Sequence, residues 1–396
     1  MQTPPLSPER INYLDALRSL MLLLIIPFHA TEIYRLSGGW LISANEQDLG
    51  LTVLGSIIQL IRRPIFFFMS GFIAASVLLR KGRDVWMRGR LLQIGVPVVL
   101  SSLILVPVEN AALAYDSHLS DAHFMATWKE LTFQYSDAWI RHRWFLIALL
   151  NMIVTYYLLS LGASRLFAKG QVDSAVAWVT KAVRRMPTLL LFGLMLIWGP
   201  LGALLNNLLH TLLPLFNIVY FMNTTILYLP FFIVGLVLGN NRDAATAFMT
   251  LSRLDYILAA VVMVAYCSLW PWLRQSGTTE IERFLFLVVE MPASLIWLRL
   301  IASLCRRFLD YPSRFWRYLA AASYTVYLCH LAYLLFFAAL FVRMGLNPWV
   351  AAATITFLST GLCFLTYELV RRSRTLTFIF NGRFPVKANA QNIVRG

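Results

Sequence analysis

The chain has 396 residues, of which 59% are hydrophobic and 13% are charged. A soluble domain usually carries about 25% charged residues, so this composition excludes an ordinary soluble enzyme and predicts an integral membrane protein. In a soluble protein the net charge of +15 would suggest nucleic-acid binding. Here it indicates basic loops beside anionic headgroups, with the lipid bilayer as a partner and no nucleic acid. The four cysteines are isolated, and their spacing predicts no metal site.

Apolar runs long enough to cross a bilayer, about 20 residues each, follow one another along the whole chain. They predict an all-α fold, a polytopic integral membrane protein with about ten transmembrane helices. We place these helices at residues 16–35, 54–79, 91–113, 144–162, 187–208, 222–239, 254–273, 284–304, 319–342 and 349–370. We treat residues 1–396 as a single membrane domain that ends in a basic cytoplasmic tail at 372–396.

The distribution of Lys and Arg predicts how these helices are oriented. With a cytoplasmic N-terminus, the connecting segments place 23 Lys and Arg residues inside and seven outside. Basic residues accumulate on the cytoplasmic side of membrane proteins, so we expect both termini in the cytoplasm. The longest outer segment, residues 112–143, mixes aromatic, histidine and acidic residues.

The first apolar run carries Asp15, Arg18, His29 and Glu32. A charged group costs about 2.5–3.5 kcal/mol at the bilayer centre on insertion scales, and such residues usually mark function. Arg18 and His29 lie within about 20° of each other around the helix, about 16 Å apart along it, and the two acids fall near the same stripe. We expect Arg18 near the cytoplasm and His29, after a kink at Pro27, in the outer half as a general base. The structural alternative is that Arg18 reaches the headgroups and His29 packs against a neighbouring helix.

Three arginines border the second and third runs. Arg62 and Arg63 precede Pro64, and they either bind an anionic acyl group or phosphate or anchor the chain at the interface. The first part of the second run is accordingly an interfacial helix or a kinked extension of the span. Arg90 opens the third run as a phosphate contact or as an ordinary cytoplasmic charge. The Ser-Gly pair at 70–71 indicates close packing of helices rather than a nucleophile.

Two later runs contain further imidazole and aromatic groups. His142 and Trp144 enter the fourth run from outside, where Trp144 fits either an aromatic belt or a platform for a sugar. Tyr327 and His330 lie in the ninth run, and His330 is either part of the site or a core residue held by a hydrogen bond. Glu109, near the outer end of the third run, is either functional or interfacial.

Several motifs, taken in order, resemble the membrane-bound acyltransferase-3 family over residues 10–385. They are Asp15-x2-Arg18-x10-His29, the FFFMSGF block at Phe66–Phe72, the basic loop ending at Pro97, His142-x-Trp-Phe-Leu, and Tyr324-x2-Tyr327-Leu-x-His330. Gln93 departs from the pattern, because members of the family often carry a second arginine there. The resemblance implies a ten-helix fold, an acyl-CoA donor on the cytoplasmic side and a carbohydrate acceptor outside.

Within the family, the first helix and the ending at 378–387 look most like members that succinylate osmoregulated periplasmic glucans in the bacterial cell inner membrane. The resemblance therefore implies an O-succinyltransferase of glucan biosynthesis. Its co-substrate would be the acyl-CoA donor succinyl-CoA, its acceptor a periplasmic glucan, and it would need no metal and no tightly bound cofactor.

The resemblance also implies roles for the charged residues. Arg18 or the pair Arg62–Arg63 would hold the anionic parts of the donor. His29 would deprotonate a glucan hydroxyl or carry the acyl group transiently, with Glu32 or Asp15 orienting the ring.

Two other functions fit the residues. One keeps acyl transfer but acetylates another exported polysaccharide. The other is a polytopic transporter, because buried charges also mark ion pathways. The sequence has no inverted repeat, and its charges concentrate in one helix, which argues against a transporter.

Overall fold

The computed structural model describes residues 11–36, 40–117, 121–134, 139–166, 174, 178, 181, 187–212, 221–275 and 279–383, and their regular structure is entirely helical. The helices are α1 Asn12–Leu23, α2 Ile25–Ile33, α3 Leu49–Lys81, α4 Arg83–Arg90, α5 Val96–Ser117, α6 Asp121–Phe133, α7 Trp144–Leu166, α8 Pro187–Leu212, α9 Met222–Asn240, α10 Arg242–Phe248, α11 Arg253–Gln275, α12 Glu280–Leu309, α13 Arg314–Phe341, α14 Pro348–Arg372 and α15 Arg374–Asn381. Leu91–Gly95 forms a π-helical turn, and Arg141–Arg143 and Val342–Met344 form 3-10 turns.

Ten of the described segments are long and apolar enough to cross a membrane, which confirms the predicted all-α polytopic membrane protein. They are Asn12–Ile33, Leu49–Ala75, Arg83–Ser117, Arg141–Gly162, Thr188–Leu212, Met222–Asn240, Arg253–Trp270, Phe284–Leu309, Arg314–Met344 and Pro348–Arg372. Each contains or overlaps one predicted span. Residues 118–120 and 135–138 of the long outer segment, and 384–396 of the predicted tail, lie outside the described residues. We call the face at the start of α1 the proximal face and the face at the end of α2 the distal face.

The first span is broken between Arg18 and His29. α1 ends at Leu23, Leu24 lies between the two helices, and α2 begins at Ile25. Pro27 explains the break, because its ring clashes with the carbonyl four residues earlier and it has no N–H to donate. Leu24 keeps right-handed helical dihedrals, with φ −81° and ψ −13°, so the break is a local interruption within one span.

The second span is one continuous helix. α3 runs from Leu49 to Lys81 with Pro64 inside it, so Arg62 and Arg63 lie in the middle of a transmembrane helix and not on an interfacial one. Arg62 is only 7% exposed. The two arginines therefore belong to the interior of the bundle.

Helices α3 and α9 make the most extensive helix pair in the bundle. A Cβ on Gly71 would lie 2.0 Å from the Phe232 carbonyl oxygen, and one on Gly235 would lie 2.0 Å from that of Phe68. The two backbones can touch only because both positions are glycine, as is common between transmembrane helices. This contact fixes the height and rotation of the arginines on α3.

A buried polar network joins the proximal ends of α8, α11 and α12. Arg299, which is 0% exposed, donates to the Thr188 hydroxyl at 2.8 Å and to the Phe248 carbonyl at 2.9 Å. It also forms an ion pair with Asp255. Each of these bonds connects separate elements, which gives Arg299 a structural role.

Candidate active site

The core of the bundle contains two adjoining cavities. The larger, the proximal cavity, has a volume of about 710 Å³. The smaller, the distal chamber, has a volume of about 40 Å³ and is lined by His29. Ile25, Phe66, Phe145 and Tyr327 line both cavities. A neck of mostly aromatic side chains therefore separates two spaces that approach each other inside the membrane.

The proximal cavity is positively charged near the proximal face and apolar further in. Arg18, Arg90, Arg371 and Arg383 line it, and none of the described residues that line it is acidic. Arg18, Arg90 and Arg383 lie close enough to repel one another. The wall between these arginines and the neck includes Leu22, Met69, Ile73, Leu146, Leu149 and Phe232. Arg18 and Arg90, which the sequence assigned to separate helices, thus share one cavity of the size usual for small-molecule sites.

His29 stacks between two other rings beside the distal chamber. The centroid of its ring lies 5.7 Å from that of Trp40 and 5.1 Å from that of His330, with interplanar angles of 24° and 28°. Its Nδ1 atom is buried, and no described residue forms a hydrogen bond with it. Buried polar atoms normally have partners, so this nitrogen is available to a proton of a substrate.

His330 and His142 extend the row of imidazoles, with ring centroids 4.8 Å apart. His330 Nδ1 lies 2.6 Å from the Tyr327 carbonyl oxygen, and His142 Nε2 lies 3.2 Å from the Leu328 carbonyl oxygen. A carbonyl oxygen only accepts, so these nitrogens carry the proton in the neutral rings. The other nitrogens, His330 Nε2 and His142 Nδ1, are buried and form no hydrogen bond with the described residues. The row therefore places several ring nitrogens without hydrogen-bond partners among the described residues close together inside the bundle.

Two arginines supply positive charge to the distal chamber. The Arg62 guanidinium lies 4.5 Å from the centroid of the Phe28 ring, and that of Arg63 lies 5.4 Å from the Trp144 ring. All four residues line the chamber. Fixed cations in a site that excludes water stabilise negative charge as it develops in a transition state.

The two acids of the first span lie elsewhere. Among the described residues that line the distal chamber, neither Asp15 nor Glu32 occurs. Glu32 accepts a hydrogen bond from Arg35 at 2.6 Å. Asp15 interacts electrostatically with Arg18 and is about 21 Å of helix away from His29. The structure therefore places Asp15 beside Arg18 and pairs Glu32 with a neighbouring cation.

Arg62 and Arg63 differ in their surroundings. Glu290 is 6% exposed and accepts from the Tyr228 hydroxyl at 3.0 Å, and both groups lie beside Arg63. The acid near Arg62 is Glu32, whose charge is already shared with an arginine. Arg62 is therefore the guanidinium whose charge is less offset by nearby carboxylates.

His142 is placed by a turn that an ion-pair cluster stabilises. Glu109, which is 0% exposed, accepts from Arg143 at 2.6 Å and from Arg141 at 3.0 Å. Arg141 has a φ of +36°, a left-handed conformation that is costly for a residue with a side chain. The Tyr327 hydroxyl donates to the His142 carbonyl oxygen. One carboxylate thus anchors the arginines on both sides of His142.

The described residues contain no group of three or more His, Cys, Asp or Glu side chains placed to hold a metal ion. The three imidazoles meet as stacked and T-shaped rings. They present faces and edges to each other and not nitrogens to a common centre.

Comparison with known proteins identifies the class of protein that carries this site. The family model described as an acyltransferase domain, acyltransferase-3, matches residues 11–368. The chain belongs to the acyltransferase-3 family. Among curated proteins it is similar to "Glucans biosynthesis protein C" of Salmonella paratyphi A (strain ATCC 9150 / SARB42), Salmonella agona (strain SL483) and Salmonella dublin. Each is 26% identical over 400 residues, which cover 96% of this chain and 97% of the relative. No solved structure matches the chain significantly.

The acyltransferase-3 match confirms the family resemblance seen in the sequence. It extends from α1 into α14 and so includes Arg18, His29 and most of the walls of both cavities. It ends before α15 and Arg383. Gln93, where this chain departs from the family pattern, lines the proximal cavity.

Sequence reasoning missed part of the site. It did not single out Trp40, Arg371 or Arg383, and it treated Arg141 and Arg143 only as loop charges. For the last two a signal was present, because a carboxylate inside a membrane helix needs a cationic partner, and Glu109 precedes them. Nothing local in the sequence places Arg371 and Arg383 at the proximal cavity or Trp40 against His29.

Proposed function

We propose that this acyltransferase moves a succinyl group from succinyl-CoA, bound in the proximal cavity, to a hydroxyl of a periplasmic glucan at the distal chamber. The observation that carries the proposal is the meeting of the two cavities at an aromatic neck beside His29. Donor and acceptor come from opposite sides of a membrane, so the reaction needs one space for each and a shared reacting centre. The names of the curated relatives support a glucan acceptor.

The proximal cavity suits an acyl-CoA donor because its two ends differ in chemistry. Arginines line the end near the proximal face, and guanidinium groups bind phosphates well. The apolar wall further in suits a long, weakly polar arm that carries the thioester towards Phe66, Phe145 and Tyr327. The positive-inside count supports a cytoplasmic proximal face, and the cytoplasm is where acyl-CoA is made.

The distal chamber supplies the groups that acyl transfer needs. A neutral His29 nitrogen accepts the proton of the glucan hydroxyl as its oxygen attacks the thioester carbonyl. The tetrahedral intermediate carries a negative charge on the former carbonyl oxygen, near Arg62 and Arg63. Collapse of the intermediate breaks the carbon–sulfur bond and releases the CoA thiolate. The proton held by His29 then passes to this thiolate. The products are a glucan ester and CoA with a free thiol.

The positions of Arg62 and Arg63 favour a dicarboxylic acyl group. From the sequence, these arginines fitted either the CoA phosphates or an acidic acyl chain. In the structure they line the distal chamber, whereas Arg18 and Arg90 line the proximal cavity. A carboxylate at the far end of the acyl group would meet a guanidinium there, which supports succinyl over acetyl.

The test is acyl transfer by the purified protein in lipid nanodiscs, with labelled succinyl-CoA and a periplasmic glucan, followed by mass spectrometry of the glucan. We expect His29→Ala to lower kcat by about 10²- to 10⁴-fold, the contribution usual for a general base. His210→Ala is the matched control, because His210 is an exposed residue of α8 and should leave kcat unchanged.

A correctly folded His29→Ala protein that still modifies glucans at the normal rate would refute the role of His29. Transfer from acetyl-CoA but not from succinyl-CoA would instead assign the protein to polysaccharide O-acetylation. A labelled acyl group retained on His29 after denaturation would show that the ring carries the acyl group, in place of direct transfer.

A further inference from the structure

The segment after the last transmembrane helix closes one side of the proximal cavity. Ser373 caps α15 by accepting from the Leu376 N–H at 3.3 Å, and the Thr377 hydroxyl donates to the Val370 carbonyl at 2.9 Å. Phe380 is 5% exposed. These contacts fold the segment back against α14 and α5. Thr377, Asn381 and Arg383 then line the cavity.

Gly382 fixes the end of this segment against the π-helical turn. Its φ is +61°, and a Cβ at this position would lie 2.2 Å from the Leu92 carbonyl oxygen and 2.9 Å from the Gln93 Cα. Only glycine fits both the left-handed conformation and this close approach. Arg383, the next residue, is therefore positioned by backbone packing at the wall that Gln93 also lines.

The charges at this end of the cavity are unbalanced. Arg371 is paired with Glu368, with Nη2 and Oε2 2.7 Å apart. The remaining cationic lining groups are Arg18, Arg90 and Arg383, which repel one another, while Asp15 offsets part of the charge of Arg18. Like charges gathered at one end of a cavity raise the free energy of the empty site. An anion with several phosphate oxygens would lower it.

We propose that α15 and the residues to Arg383 are part of the donor site, and that Arg383 binds a phosphate of the nucleotide end of acyl-CoA. The inference rests on the proposed function. It adds a binding residue from a segment that the family match does not include. Arg383 would supply, from the C-terminal side, a cation beside the uncharged Gln93 of the π-helical turn.

The experiment measures binding of CoA itself by isothermal titration calorimetry, with the full-length protein in nanodiscs of zwitterionic lipid. We expect Arg383→Ala to raise the Kd for CoA about 10- to 100-fold, as for loss of a charge-assisted hydrogen bond. Arg383→Lys should recover part of that loss. Arg374→Ala is the matched control. Arg374 is an exposed residue at the start of α15 that does not line the cavity, and the substitution removes the same charge as Arg383→Ala. Arg18→Ala, which removes another arginine that lines the same cavity, should also weaken the binding of CoA.

The outcomes separate this inference from the proposed function. If Arg18→Ala weakens CoA binding and Arg383→Ala does not, the inference is wrong and the proposed function stands. If the wild-type protein does not bind CoA, both are wrong. If Arg383→Ala weakens binding only in nanodiscs of anionic lipid, the residue binds headgroups and the inference is wrong. A loss that Arg383→Lys does not reduce at all would point to packing rather than charge, and would also overturn it.

Discussion

At the scale of single residues, the histidines of the core are distinguished by their hydrogen bonds. His330 and His142 each have one ring nitrogen at a backbone carbonyl, which fixes the tautomer and the ring orientation. His29 is instead held by stacking on Trp40 and His330. A ring oriented by stacking keeps its nitrogens available for proton transfer, which is why we assign the base to His29 and a supporting role to the other two.

Arg62 is the residue at which we expect selectivity for the acyl group. In Arg62→Gln the distal chamber loses a guanidinium that we place at the free carboxylate of the succinyl group. The ratio of kcat/KM for succinyl-CoA over acetyl-CoA should then fall about 10- to 100-fold, as expected for a hydrogen bond to a charged group. Competition assays with the two labelled donors measure this ratio.

Arg83→Gln provides the control for Arg62→Gln. Arg83 also lies over an aromatic ring, 5.5 Å from the centroid of Tyr157, but it does not line either described cavity. In Arg83→Gln, the ratio of kcat/KM for succinyl-CoA over acetyl-CoA should equal that of the wild type. An unchanged ratio in Arg62→Gln would contradict the assignment of Arg62 to the acyl carboxylate.

At the scale of elements, the site depends on two local departures from regular helix. Pro27 interrupts the first span between Arg18 and His29, and the two residues line different cavities. The 3-10 turn before α7 inserts His142 between two arginines. The first departure follows from the sequence, because proline breaks helices. The second does not follow from the local sequence. The turn is stabilised by ion pairs of Arg141 and Arg143 with Glu109, which lies on a separate helix, α5.

Glu109→Gln tests the turn before α7. The change leaves Arg141 and Arg143 buried without their carboxylate, and breaking a buried ion pair from one side costs about 3–5 kcal/mol. We expect a lower free energy of unfolding in mixed micelles, together with a lower kcat because His142 loses its anchor. Asp116→Asn on the same helix is the control, since the Asp116–Arg343 pair has atoms 3.8 Å apart and side chains 27% and 29% exposed. Partly exposed pairs contribute about 0–1 kcal/mol. Equal losses in the two variants would show that the Glu109 cluster has no special role.

At the scale of the whole molecule, the proposal needs a defined orientation in the membrane. The proximal face holds the arginine-lined end of the large cavity, and the distal face lies nearer to His29. If the orientation were reversed, the arginines would face the periplasm, which contains no acyl-CoA. Charge counting predicts the productive orientation, but the fold by itself does not determine it.

Labelling of single cysteines in cells tests the orientation. Glu46 is exposed near the distal face and Arg374 near the proximal face. In a protein without its native cysteines, Glu46→Cys should react with a membrane-impermeant maleimide in cells with a permeable outer membrane. Arg374→Cys should react only after the inner membrane is opened. The reverse pattern would contradict cytoplasmic termini and, with them, the proposed donor side.

The sequence by itself determined the ten spans and the family, and it predicted Arg18 and His29 as site residues. These follow from hydropathy over about 20 residues and from the spacing of charges within one apolar run, which are local properties of the chain. Tertiary structure alone decided that His142 and His330 join His29, that Arg62 and Arg63 line the distal chamber, and that Arg383 lines the proximal cavity. These contacts join residues far apart in the chain, and they depend on how helices cross. That crossing is set by side-chain packing, such as the glycine contact of α3 with α9, which no local pattern specifies.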